Sequence, residues 1–213
     1  MPPVVTMAIG DSITMGSSTY RGGYRRPLNN LAPNLVFVGR NCRDATYGDT
    51  VGHHEGYSGA QTTTFKAGGT AGDIVTQVDA YGVALALIML GTNDLSGGKT
   101  VAQLLLDVVE RATAIKARST VKAVIVGNIA PRASNEAKYA ETVSVRAGMQ
   151  AAVEAAGAGI YYCDPCADLV NPGAHFTDSL HPSEVGYALM APRWYAAIRA
   201  AGVQTRLGGL GMR

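Results

Sequence analysis

Five short runs of β-branched and aliphatic residues punctuate the chain, at residues 4–9, 35–38, 83–90, 121–126 and 159–163. Each has the length of a buried strand, and the stretches between them carry helical periodicity instead. The clearest helix is predicted over 101–118, with Val101, Leu104, Leu105, Val108, Ala112 and Ile115 on one face. Thr100 and Gln103 stand at capping-box spacing ahead of it. A second helix is predicted over 135–156, stopped by Gly157. The last starts with Pro182 in its first turn and ends near Gly202, with Val185, Leu189 and Ala196 turned inward and Pro192 kinking it. Strands alternating with helices predict an α/β fold on a five-stranded parallel sheet covered on both faces. The segment 40–69 is the least regular and reads as a long loop. The pattern describes one domain over 1–206 and a glycine-rich tail over 207–213.

Composition narrows the partners. Hydrophobic residues make up 47% of the 213 and charged residues 16%, a globular balance, and the net charge is only +2. Arg21, Arg25 and Arg26 form the one basic cluster, so neither nucleic acid nor an anionic membrane surface is expected as a partner. The longest apolar run, 83–90, falls far short of a membrane span. The first strand begins by Val4 with no basic and apolar leader ahead of it. The expectation is therefore a cytoplasmic protein, or a secreted one from which a leader has been removed. Oligomeric state is left open. Cys163-Asp164-Pro165-Cys166 has redox spacing but sits at a strand end instead of a helix start, so ordinary thiols, or at most a local disulfide, are expected there.

Three polar segments follow predicted strands, at the sheet edge where ligands of parallel α/β folds bind. Gly10-Asp11-Ser12 follows the first strand, Gly91-Thr92-Asn93-Asp94 the third, and Asp178 with His181 the fifth. A serine hydroxyl is a weak nucleophile until a base takes its proton and an acid orients that base. His181 is the candidate base, and Asp178, three residues earlier, can reach its other ring nitrogen. Asn93 offers a side-chain amide, and Gly59 and Ser12 offer backbone N–H groups, for a developing oxyanion. Each segment also has a plain reading: Gly-Asp-Ser makes a turn or a helix cap, Asn93 a turn asparagine, Gly59 a loop glycine. His175 is a rival base, but Pro172 stands where an orienting acid would be. Asp164 and Asp168 are rival acids, but neither closely precedes a histidine. His53-His54-Glu55 suggests a metal, yet neighbours on an extended chain point to opposite faces, and no metal site is expected.

Taken together, Gly10-Asp11-Ser12, Gly59, Gly-Thr-Asn93-Asp and Asp178-x-x-His181 resemble, in order and spacing, the four blocks of the SGNH (GDSL-like) hydrolase superfamily. The resemblance implies a flavodoxin-like three-layer α/β/α sandwich and ester hydrolysis without a metal or organic cofactor. It implies Ser12 as nucleophile, His181 as base and Asp178 as its orienter, with Ser12, Gly59 and Asn93 forming the oxyanion hole. Gly23-Tyr24-Arg25-Arg26-Pro27-Leu28, Phe37-Val38-Gly39 and His54-Glu55-Gly56-Tyr57-Ser58-Gly59 are similar to the carbohydrate acetylesterase branch that includes acetyl xylan esterases. One departure is that Ala60 and Gln61 stand where a tryptophan often follows the second-block glycine. The implied partner is a small acylated substrate, an acetylated carbohydrate first. A lipid esterase or thioesterase of the same superfamily, or a binding domain without turnover, are the alternatives.

Overall fold

The computed structural model describes residues 1–16, 20, 22–42, 51–171 and 173–205. In chain order the elements are β1 (Val4–Gly10), α1 (Ser12–Met15), α2 (Arg25–Leu31), β2 (Leu35–Val38), β3 (Asn41–Cys42), β4 (His53–Gly56), a 3₁₀ turn (Thr62–Phe65), α3 (Ile74–Ala80), β5 (Leu85–Met89), α4 (Thr92–Ser96), α5 (Val101–Lys116), β6 (Ala123–Gly127), α6 (Tyr139–Glu154), β7 (Ile160–Cys163) and α7 (Glu184–Ala200). All five predicted strands are present. They pair in parallel in the order β2-β1-β5-β6-β7, with β1 between β2 and β5.

Alternation along these strands splits the core into two layers, because successive side chains leave opposite faces. Met7, Ile9, Ala86, Ile88, Val124 and Val126 face α3, α5 and α6. Ala8, Leu85, Leu87, Met89, Ala123 and Ile125 face α1, α2 and α7. The result is a three-layer α/β/α sandwich.

The sheet has seven strands, however, and not the five expected. β2 pairs with β1 only over Val4–Met7, which leaves the last residues of β1 open on that side. β4 fills the gap, pairing Glu55 with Ile9 and Gly56 with Gly10, and β3 pairs antiparallel with β4. The predicted long loop 40–69 therefore contains two strands and the 3₁₀ turn, while residues 43–50 lie outside the described residues. A strand reading His-His-Glu-Gly has no apolar alternation, so hydrophobic pattern could not find it.

The helices differ from expectation mainly at their ends. α5 begins as predicted, with Thr100 Oγ1 accepting from Gln103 N at 3.2 Å. α6 begins at Tyr139, later than the pattern suggested. Pro182 lies outside α7, paired in a short bridge with Phe176, and Ser183 caps the helix by accepting from Gly186 N. α7 runs through Pro192 as one element. Its inward face is Tyr187, Met190, Ala191, Trp194 and Ile198, whereas Val185 is 53% exposed and Ala196 is exposed too. The aromatic residues set this register: Trp194 is fully buried and stacks on Tyr24 at 5.2 Å. The tail 207–213, Arg21 and Pro172 lie outside the described residues. Among the described residues no helix is long and apolar enough to cross a membrane.

Candidate active site

At Gly10, the last residue of β1, the chain has no room for a side chain: a Cβ would collide with Thr14 Oγ1 and sit 2.5 Å from Met89 O. The chain turns at Asp11, whose Oδ1 accepts from Ile13 N at 2.9 Å and so caps α1. Ser12 is the first residue of α1, where a backbone N–H has no partner within the helix. Its hydroxyl lies 2.9 Å from His181 Nε2, although the two are 169 positions apart. His181 Nδ1 lies 2.8 Å from Asp178 Oδ2. Asp178 Oδ1 accepts from both Leu180 N and His181 N at 2.7 Å. Burial raises this carboxyl, but those two N–H groups and the imidazole outweigh it and hold Asp178 below its ordinary range. An ionised Asp178 fixes the proton on Nδ1, which leaves Nε2 free to accept from the serine.

The oxyanion candidates come from the two strands flanking β1. β4 leads into a turn where Tyr57 N donates to Gly10 O at 3.1 Å, tying this segment to the serine turn. Gly59 follows at φ +74°, a conformation that favours glycine, and a Cβ there would meet nothing within 4 Å. Among the described residues its N–H has no acceptor. On the other side, β5 leads into α4. There Asn93 Nδ2 donates to Ala60 O at 3.1 Å and stands 3.4 Å from Asp11 Oδ2, which brings its amide against the serine turn.

Further bonds support this arrangement. Asp94 is buried, accepts from Thr62 N and from Thr62 Oγ1 at 2.7 Å, and pairs with Lys99 at 2.7 Å. Gln61 Nε2 also donates to Asn93 O at 3.1 Å, so the Gly59 turn and the Asn93 loop are locked as a unit. Glu55 is fully buried and held by Arg40 at 2.8 Å and by Tyr57 Oη at 2.8 Å. Arg25, also fully buried, donates to the carbonyls of Thr14 and Val51 and thereby steadies the turn after Ser12. Asp11 is 1% exposed, and burial raises its carboxyl to about 6 despite the opposing Ile13 N–H and the nearby His181.

The rival residues are engaged elsewhere. His175 Nδ1 accepts from Val170 N at 3.0 Å, Asp164 pairs with Arg146, and Asp168 pairs with Arg193. His53 Nδ1 lies 3.1 Å from Gly39 O, while His54 Nδ1 accepts from Gly56 N at 3.0 Å. No group of three or more His, Cys, Asp or Glu among the described residues could hold a metal ion. Cys163 and Cys166 are free and buried; burial pushes the Cys163 thiol up to about 12 and that of Cys166 further, so neither forms a thiolate readily.

The sequence model of the GDSL-like lipase/acylhydrolase family matches residues 8–189. None of the curated proteins matches the chain. Among solved structures, the fold is shared with a carbohydrate esterase family 3 protein from Talaromyces cellulolyticus, at 22% identity and TM-score 0.75 over 95% of this chain and 100% of that one. It is shared with a family 3 carbohydrate esterase of Clostridium thermocellum, at 23% identity and TM-score 0.74 over 93% and 96%. It is also shared with an acetyl-xylooligosaccharide esterase from Geobacillus Stearmophilus, at 18% identity and TM-score 0.63 over 96% and 98%.

Proposed function

Because this chain belongs to the GDSL-like lipase/acylhydrolase family and is an ester hydrolase, we propose that it removes small acyl groups, acetate first, from acylated carbohydrates through an acyl-enzyme on Ser12. The observation that carries this reading is the unbroken relay from Ser12 Oγ to His181 Nε2 at 2.9 Å and from His181 Nδ1 to Asp178 Oδ2 at 2.8 Å. Ser12 Oγ attacks the ester carbon while its proton passes to His181 Nε2, and Asp178 holds the resulting imidazolium. Negative charge develops on the carbonyl oxygen, where the N–H groups of Ser12 and Gly59 and one N–H of the Asn93 amide receive it. The contact of that amide with Asp11 is long, 3.4 Å, and gives way to a shorter bond with the oxyanion. Collapse of the intermediate expels the alcohol, which takes the proton from His181. Water then repeats the sequence on the acyl-enzyme and releases the acid.

The preference for a small acyl group rests on likeness to carbohydrate esterases. Hydrolysis rates over a series of p-nitrophenyl esters from acetate to decanoate, with acetylated xylan alongside, test it. The expected order has acetate fastest and acetylated xylan deacetylated; a maximum at eight carbons or more, with xylan untouched, would make the enzyme a lipid esterase or thioesterase instead.

A further inference from the structure

Asp178 and His181 sit on a turn, residues 177–181, that packing does little to hold. Thr177, Asp178 and Ser179 are exposed, the Asp178 side chain by 54%. Only the feet of the turn are anchored: Phe176 and Pro182, on either side of it, are buried and pair in an antiparallel bridge. Within the turn the hydrogen bonds close on themselves. Thr177 N and Oγ1 donate to His181 O at 2.9 and 3.1 Å, and Asp178 Oδ1 accepts from Leu180 N and His181 N. These bonds set the shape of the turn but not its place relative to Ser12.

Among the described residues, two hydrogen bonds join this turn to the rest of the chain. One is the contact of His181 Nε2 with Ser12 Oγ, which the reaction itself breaks and remakes as the proton moves. The other is made by Asn171, in the segment after β7. Its Nδ2 donates to Ser179 O at 2.8 Å and to Pro131 O, after β6, at 2.9 Å. An amide nitrogen carries two hydrogens, and here each goes to a backbone carbonyl. The next residue along, Arg132, donates through Nη2 to Thr92 O at 3.1 Å and to Ser96 Oγ at 2.8 Å, on the helix that carries Asn93. Asn171 and Arg132 thus form a strap from the acid–base turn to the helix of the oxyanion amide.

We propose that Asn171 is a positioning residue, which holds the Asp178–His181 turn in line with Ser12 through each proton transfer by way of the Ser179 carbonyl. The inference rests on the Ser12–His181–Asp178 relay proposed above. Without Asn171 the exposed turn is free to swing on its buried feet, and a displacement of about 1 Å costs about 10²-fold in rate. His181 serves acylation and deacylation alike, so its misplacement slows both steps. KM, which depends on the ratio of the two rates, then stays where it was.

A double-mutant cycle on the full chain with p-nitrophenyl acetate tests it, with circular dichroism and melting temperature recorded for every variant. Asn171→Ala removes both N–H groups, and Asn171→Leu removes them while keeping most of the volume. Each is expected to lower kcat about ten- to a hundredfold and to leave KM within about twofold. In an Asp178→Asn background the same substitutions are expected to change kcat about threefold or less, because the imidazole there has already lost its tautomer and its orienter. A residue that served the fold alone would lower activity by the same factor in both backgrounds. Equal factors therefore overturn the proposal, as do folded Asn171→Ala and Asn171→Leu variants that keep the parent kcat. Those results leave the relay standing, whereas an Asp178→Asn variant with the parent kcat overturns the relay and the strap together.

Discussion

Asp11 is a buried carboxyl directly beneath the nucleophile, and replacing it with asparagine should change how stability depends on pH. In the folded chain, burial is the largest influence on Asp11 and raises it from its ordinary value of 3.8 to about 6, with Asp94 adding to the rise and the Ile13 N–H and His181 opposing it. The unfolded chain gives up this proton near pH 4 and the folded chain near pH 6. Between those values the folded state binds more protons, so rising pH withdraws stability across that window and leaves it at a lower plateau above about pH 6. The separation corresponds to about 3 kcal/mol. The asparagine of the variant cannot ionise, but it keeps a side-chain oxygen for the Ile13 N–H, so the cap on α1 survives. Urea denaturation of parent and Asp11→Asn from about pH 4 to pH 7.5 gives the difference in unfolding free energy at each pH. Any constant effect of the substitution drops out of the trend, as do groups that titrate alike in both proteins. The variant should gain on the parent by about 2 kcal/mol from pH 4 to pH 7, the rest of the separation lying below pH 4. A difference flat to within about 0.5 kcal/mol, or one that moves the other way, would refute the claim that Asp11 is held buried and charged at neutral pH.

Three further outcomes are expected from the site. Asp178→Asn should cut kcat on p-nitrophenyl acetate about 10²–10⁴-fold with little change in KM, because the imidazole loses its orienter and its counter-charge. Asn93→Ala should cost about 10²–10³ in kcat. Its melting temperature should also fall, since the amide holds Ala60 O as well. His175→Ala should retain kcat within about threefold, because that ring is bonded to Val170 N and stands outside the relay; steady-state kinetics on the same ester checks it.

What could be read from the sequence divides along physical lines. The five parallel strands were legible because buried strands demand continuous apolar runs, and Met7 to Ile9 or Ala123 to Val126 supply them. Ser12, Asn93, Asp178 and His181 were legible as a set because each follows a strand at the same sheet edge. β4 was not legible, since its two pairs with β1 are made by backbone groups beneath a polar sequence. Nor was the full register of α7, where the aliphatic pattern placed Leu189 correctly against the core but also turned Val185 and Ala196 inward, while the volume of Trp194 and Tyr187 decides the buried face. The bonds that tie Thr62 to Asp94 and Lys99 join residues 32 and 37 positions apart, and a single chain carries no trace of such a pairing until it is folded.

The central claim is that Ser12 forms the covalent intermediate, and turnover of p-nitrophenyl acetate by Ser12→Ala tests it most directly. With circular dichroism and melting temperature matching the parent, the account predicts that enzymatic turnover falls to the rate of the buffer alone. A folded Ser12→Ala variant that hydrolyses the ester at the parent rate would contradict it.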